Sequence, residues 1–177
     1  IDVFNSCSIE SQIMNIPGLS EKFLYFNDDF YCLKPHPPSY YFTKTGKPII
    51  RYQKCMENNF LTNLYGKYEK SHIYSMRSTD LDTIIKREHV FLSLTKQIMF
   101  DSKDAYKSEW DKVSRSVFRS SDTLEPIATA ITHALIKTDK AVLIDHKQDL
   151  LKILYTEDVN IKPKQSLKYD SACFNDL

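Results

Sequence analysis

Residues 23–31 read Phe-Leu-Tyr-Phe-Asn-Asp-Asp-Phe-Tyr: an apolar aromatic run breaks into Asn27, Asp28 and Asp29, then turns aromatic again. Adjacent acids repel, and burying one unpaired costs roughly several kcal/mol. Residue type alone leaves two readings. Either a positive group compensates the two carboxylates, or the three residues form a solvated Asx turn after a strand. His89, ahead of an apolar run, has a ring that titrates near neutral pH and suits a general base or a phosphate contact; the plainer reading is a cap or a partly buried polar residue. Arg119 carries a planar, permanently charged fork suited to a bidentate hold on phosphate oxygens, or to a salt bridge with Asp122. Tyr40, Tyr41 and Phe42 offer faces for a sugar ring, or simply pack a hairpin onto a core. The other histidines, His36, His72, His133 and His146, match no pattern and read as structural.

These residues need elements to position them. Ile9, Ile13 and Ile16 recur at helical spacing after Ser8, a plausible cap, and Pro17-Gly18 ends that helix. Phe23 to Phe26 predicts a short buried strand, which puts Asn27 to Asp29 at its carboxyl end, where open α/β sheets hold ligands. Residues 39–52 predict a hairpin with Gly46 in the turn and Pro48 at the edge of the second strand. Gln53 to Thr83 is polar and aromatic without a period and reads as a flap or insertion. Trp110, Val113, Val117 and Phe118 fit one helix face. Leu124, Ile127, Ala128, Ile131, Ala134 and Leu135 fit another, with Asp122 or Thr123 as cap and Pro126 in the first turn. Lys140 to Ile144 reads as a strand, Asp149 to Tyr155 as a helix, and Val159 to Pro163 as a short strand.

The bulk numbers describe one ordinary soluble domain. The chain has 177 residues, 42% hydrophobic and 27% charged, with net charge +1. No basic footprint for nucleic acid is present, no apolar run is long enough to span a bilayer, and no signal-peptide pattern starts at Ile1. Cys7, Cys32, Cys55 and Cys173 are widely spaced without a C-x-x-C pair and read as reduced thiols, not as a zinc site or disulfide framework. Three glycines and no G-x-G-x-x-G or Walker pattern exclude the common phosphate loops. The sum predicts an α/β chain: a mixed glycosyltransferase-like core with a hairpin and a helical second half. We expect residues 1–177 to be a single catalytic-type segment of a longer protein, truncated at both ends.

Several stretches together resemble the Stealth family of sugar-phosphate transferases. Residues 15–31, from Asn15-Ile-Pro-Gly-Leu-Ser to Tyr31, are similar to its second conserved region, with Asn5 to Ile13 as the run into it. Residues 87–97, followed by Phe118-Arg119-Ser120, resemble the third region, where a His comes first and an Arg-Ser follows. Residues 172–177, around Cys173-Phe-Asn175-Asp176, resemble the fourth. The first region, which helps bind the nucleotide, is absent. After His89 the family often has proline two residues on, and Phe91 stands there instead.

The resemblance implies transfer of a sugar-1-phosphate from a nucleotide-diphosphate sugar to a glycan hydroxyl, in capsule or exopolysaccharide synthesis. Asp28, Asp29 and Asp176 are then the expected ligands of Mg2+ or Mn2+, which suit hard carboxylates; the metal would answer the charge question above. Asn27 would orient a carboxylate or ligand, His89 would serve as base, and Arg119 would clamp phosphate with Ser120 in support. Asn175, Asn5, Ser6 and Glu10 would lie near substrate, and Cys173 would be a packed thiol. The expected partners are the sugar donor and the glycan acceptor, with no nucleic acid and no transmembrane segment in this chain. The expected location is the cytoplasm at the inner face of a bacterial membrane, or the Golgi lumen in a eukaryote. Two rivals are a metal-dependent glycosyltransferase that releases UDP and an inactive homologue that serves as a binding module.

Overall fold

Asn5 starts the first helix: its side-chain oxygen accepts the Cys7 amide at 3.1 Å, satisfying one of the orphan donors of the first turn. The chain is seen in a computed structural model that describes residues 3–27, 30–52, 54–57, 67–86, 91–145, 150–154 and 171–175. Helix α1 covers Ser6–Glu10, and a 3-10 turn follows at Ile13–Asn15. The expected cap at Ser8 and apolar face on Ile9, Ile13 and Ile16 are both corrected. Ile9 and Ile16 are exposed, whereas Cys7 and Glu10, three residues apart on one side, are buried. A helix this short takes its buried side from its neighbours.

The remaining elements follow in chain order: β1 (Lys22–Tyr25), β2 (Phe30–Cys32), α2 (Pro38–Tyr41), β3 (Ile49–Tyr52), β4 (Lys54–Glu57), α3 (Lys67–Thr79), β5 (Thr83–Lys86), β6 (Leu92–Thr95), α4 (Lys96–Ala105), α5 (Lys107–Ser114), α6 (Pro126–Ile136), β7 (Val142–Asp145), β8 (Leu150–Leu154) and β9 (Ser171–Asn175). The fold is α/β, with small mixed sheets. β1 pairs antiparallel with β6, β4 antiparallel with β5, and β3 parallel with β7. A three-stranded sheet runs β2-β9-β8, antiparallel on the β2 side and parallel on the β8 side.

Helix α6 is the centre of the core. Pro126 occupies its first turn as expected, and every residue from Pro126 to Ala134 is buried, because α4, α3 and β5 all pack on it. Of its two buried threonine hydroxyls, that of Thr132 is satisfied and that of Thr129 has no hydrogen-bond partner among the described residues. The Thr132 hydroxyl donates to Ala128 O at 2.7 Å and accepts from Ile85 N at 3.0 Å, tying α6 to β5. Trp110 is fully buried and donates its indole N–H to Ser11 O at 3.0 Å, fastening α5 beneath α1. No helix among the described residues is long and apolar enough to cross a membrane.

Other sequence expectations change on packing. The hairpin over 39–52 shrinks to one bridge, Phe42 to Pro48, because Pro38 opens a helical turn through Tyr41 and β3 pairs with distant β7. Gly46 does hold the turn, at φ +87°. Residues 150–154 form a strand beside β9, not a helix, since their apolar run has no period and pairing decides. Val117 and Phe118 lie beyond the end of α5, and Phe118 is exposed. Glu125, not Asp122 or Thr123, is the residue at the cap position of α6. The short strand expected at 159–163 lies outside the described residues.

Candidate active site

The segment after α5 lies alongside the start of α1. Phe4 N donates to Val117 O at 2.8 Å, and Phe4 forms a parallel bridge with Phe118. The buried Asn5 amide donates to Ser116 O and Phe118 O, both at 3.4 Å, while its oxygen caps α1. Ser8 Oγ adds a bond to Ser114 O at 3.0 Å. Asn5 is therefore spent on holding the backbone that presents Arg119. Ser6, the first residue of α1, is exposed.

Arg119 Nη2 donates to Glu125 Oε1 at 2.8 Å. The two side chains differ sharply in exposure, 37% for Arg119 and 0% for Glu125. Asp122, the partner expected from sequence, instead lies 3.8 Å from Lys112 and accepts the Ser120 hydroxyl. That hydrogen bond heads the causes that hold the Asp122 carboxyl below its usual range. Ser120 is fixed from three sides: its N–H donates to Thr123 Oγ1, its hydroxyl reaches Asp122, and its carbonyl accepts from Ser71 Oγ at 3.2 Å.

A second arm comes from β1. The Tyr25 hydroxyl lies 2.8 Å from Glu10 Oε1 and 2.9 Å from the Asn27 amide. A phenol has one proton, so the hydroxyl shares it between these two acceptors, Glu10 Oε1 and Asn27 Oδ1. Glu10, Glu125 and Cys7 are all buried, with their ligand atoms within 4.8 Å of one another. Two polar arms, Asn27–Tyr25–Glu10 and Arg119–Glu125, thus end on buried carboxylates that lie near each other. Tyr25 and Glu125 escaped the sequence reading. Tyr25 lies within an aromatic strand run and Glu125 directly before Pro126, and neither local pattern carries a site signal.

Of the other expected site residues, Asp28, Asp29, His89 and Asp176 lie outside the described residues. One sheet pairs the described strands that adjoin two of these motifs. β2 begins directly after Asp29, β9 ends at Asn175 directly before Asp176, and the antiparallel register sets Phe30 opposite Cys173. The start of β2 therefore meets the end of β9. The group of Cys7, Glu10 and Glu125 does not itself suit Mg2+ or Mn2+: these ions take all-oxygen shells, the thiol is a soft donor, and Glu125 already serves Arg119.

The aromatic segment packs inward on itself. His36 stacks on Tyr40 with centroids 4.0 Å apart, and the Arg51 guanidinium lies 3.6 Å from the same ring centre. Both cannot share one face at those distances, so Tyr40 is sandwiched and has no face for a sugar. Tyr41 meets Tyr40 and Phe91 edge-on. Burial, with Cys32 adding to it, pushes the Tyr41 phenol up to about 12. Phe91, the departure after His89, is thus a packing residue of this cluster.

Comparison with known proteins follows the same line. Residues 1–50 match the family model for Stealth protein CR2, conserved region 2. Over that stretch the chain is similar to Stealth conserved region 2. It is 26% identical over 192 residues to the exopolysaccharide phosphotransferase CpsY of Mycobacterium leprae, covering 99% of this chain and 34% of that protein. It is 27% identical over 196 residues to the capsular polysaccharide phosphotransferase SacB of Neisseria meningitidis serogroup A, covering 99% of this chain and 35% of that protein. It is also 27% identical over 148 residues to the exopolysaccharide phosphotransferase SCO6021 of Streptomyces coelicolor, covering 80% and 27%. The chain thus spans about a third of the length of the first two.

Proposed function

We propose that this chain is part of a Stealth-type transferase that moves a hexose-1-phosphate, such as an N-acetylhexosamine-1-phosphate, from a nucleotide-diphosphate sugar to a glycan hydroxyl, in capsule or exopolysaccharide synthesis. The observation that supports the reading is the β2–β9 register, in which Phe30 stands opposite Cys173, so that the strands adjoining two motifs far apart in sequence are paired. The names of the relatives support the polysaccharide context.

In the proposed reaction the acceptor oxygen attacks the sugar-linked phosphorus. A new O–P bond forms, the pyrophosphate P–O bond breaks, and nucleoside monophosphate leaves with that electron pair. His89 takes the hydroxyl proton. Arg119, carried on a pinned segment, meets the charge that builds on the phosphoryl oxygens. Asp28, Asp29 and Asp176 are the proposed ligands for Mg2+ or Mn2+, whose charge would offset that of the pyrophosphate. The proposed setting is the cytoplasmic face of a bacterial membrane.

The test is product analysis with the full-length protein, a panel of UDP-sugars and glycan acceptors. Phosphate retained in the glycan with release of UMP is the expected result. Release of UDP with no glycan phosphate would overturn the reading and point to ordinary glycosyl transfer. Calorimetry with Mn2+ on wild type and the Asp28→Ala/Asp29→Ala protein tests the metal: affinity that survives the double change removes these acids as ligands.

A further inference from the structure

We propose that Glu125 is the positioning residue of Arg119: it holds the inner edge of the guanidinium and so sets the direction of the outer edge toward the donor phosphate. This rests on the function proposed above.

Glu125 stands at the cap position of α6, where a side chain ordinarily accepts an amide of its own first turn. It makes no such bond. Its carboxylate turns away to take Arg119 Nη2 at 2.8 Å, and its own N–H donates to Ser75 Oγ at 2.9 Å. The helix start is thus built so that this carboxylate is directed at Arg119. Stability is a poor reason for the arrangement. An ion pair with a fully buried member recovers little more than its desolvation cost, and an apolar pair of equal volume does as well. Orientation is a better reason. A guanidinium fork at the end of four methylene and amine bonds swings widely unless one edge is held, and here the backbone that carries it is also pinned, by Asn5 and by Ser71. The asymmetry fits the role: Glu125 is sealed, while Arg119 remains 37% open toward the solvent side.

The charge of Glu125 opposes phosphate binding even as it orients the fork. Removing it is therefore expected to lower kcat without raising KM for the donor, the signature of an interaction realised in the transition state. The experiment uses full-length protein, a UDP-sugar that supports transfer, and five forms: wild type, Glu125→Gln, Glu125→Asp, Arg119→Lys and Glu125→Gln/Arg119→Lys. Glu125→Gln is expected to lose about 10–100-fold in kcat, the scale of a misplaced catalytic group, with donor KM unchanged or lower. In the Arg119→Lys background the same change should cost no more than about twofold, because the fork it orients is already gone. Should Glu125→Gln not fold, Glu125→Asp decides, since it keeps the charge but withdraws it by one methylene and should still reduce kcat. Wild-type kcat in a folded Glu125 variant, a raised donor KM at unchanged kcat, or a full additive loss on top of Arg119→Lys would each overturn the proposal. Failure of the wild-type protein to leave phosphate in the glycan overturns the functional reading itself, and this proposal with it, before any variant is compared.

Discussion

Two ion pairs in this molecule have nearly the same length and cations of nearly the same exposure. Arg119–Glu125 spans 2.8 Å with side chains 37% and 0% exposed, and Lys47–Asp139 spans 2.9 Å with 35% and 89%. The cations differ in kind, Arg against Lys, but in exposure it is the acid that separates the two pairs. The Asp139 carboxylate sits in water, where pairing competes with hydration and gains little. The Glu125 carboxylate has given up its water, so the guanidinium must replace it. Equal geometry therefore carries unequal weight, and burial of the acid decides which pair organises its surroundings. The Lys47 pair joins two turns. The Arg119 pair ties the segment after α5 to the head of the central helix, beside Cys7 and Glu10.

The largest expected effect breaks the buried pair from its exposed side. Arg119→Met strands Glu125 and should cost about 3–5 kcal/mol by urea unfolding, whereas Glu125→Met should cost clearly less, because Arg119 can turn to solvent. Equal losses would refute the idea that burial of the acid sets the weight. Tyr25→Phe comes next: removal of the hydroxyl between Glu10 and Asn27 should cost about 1–2 kcal/mol, and a neutral result in the same assay would mean that the second arm contributes nothing.

His133 sharpens the comparison with a buried group whose nearest partner is neutral, the Tyr106 hydroxyl 3.0 Å away. Burial holds its pKa below the ordinary value, against the pull of Asp101 and with help from Lys137 and Lys140. The folded state thus binds fewer protons than the unfolded chain, so this stability is present above about pH 6.5 and is lost as pH falls through that value toward the lower folded pKa. His133→Gln should flatten the fall in Tm between neutral and mildly acid pH, by about 1–2 °C; an unchanged slope would assign the acid sensitivity elsewhere. Lys47→Ala is the smallest, under about 0.5 kcal/mol, and a loss near that of Arg119→Met would collapse the contrast between the pairs.

Legibility followed the range of the interactions. The helix over Pro126–Ile136 was readable because proline in the first turn and apolar residues on a helical period are local signals, and the same holds for Val142–Asp145. Asn27 beyond the end of a short strand was readable for the same reason. The inference from open parallel sheets was not sound, since β1 pairs antiparallel with β6. The short helix at Ser6–Glu10, the lost hairpin and the strand at Leu150–Leu154 failed where a distant partner outweighed a weak local preference.

The sequence by itself determined which residue types were available for phosphate chemistry, the resemblance to Stealth proteins, and the elements whose hydrophobic period is strong. Those properties depend on neighbours a few positions apart. Only the tertiary structure decided that Arg119 answers to Glu125 and not to Asp122, that Asn5 is spent on the backbone, that Tyr40 is sandwiched, and that the start of β2 meets the end of β9. The reason is physical: the worth of a charge or a hydroxyl depends on what replaces its water, and that is settled by how the chain packs, for Asn5 and for β2 by segments more than a hundred residues away.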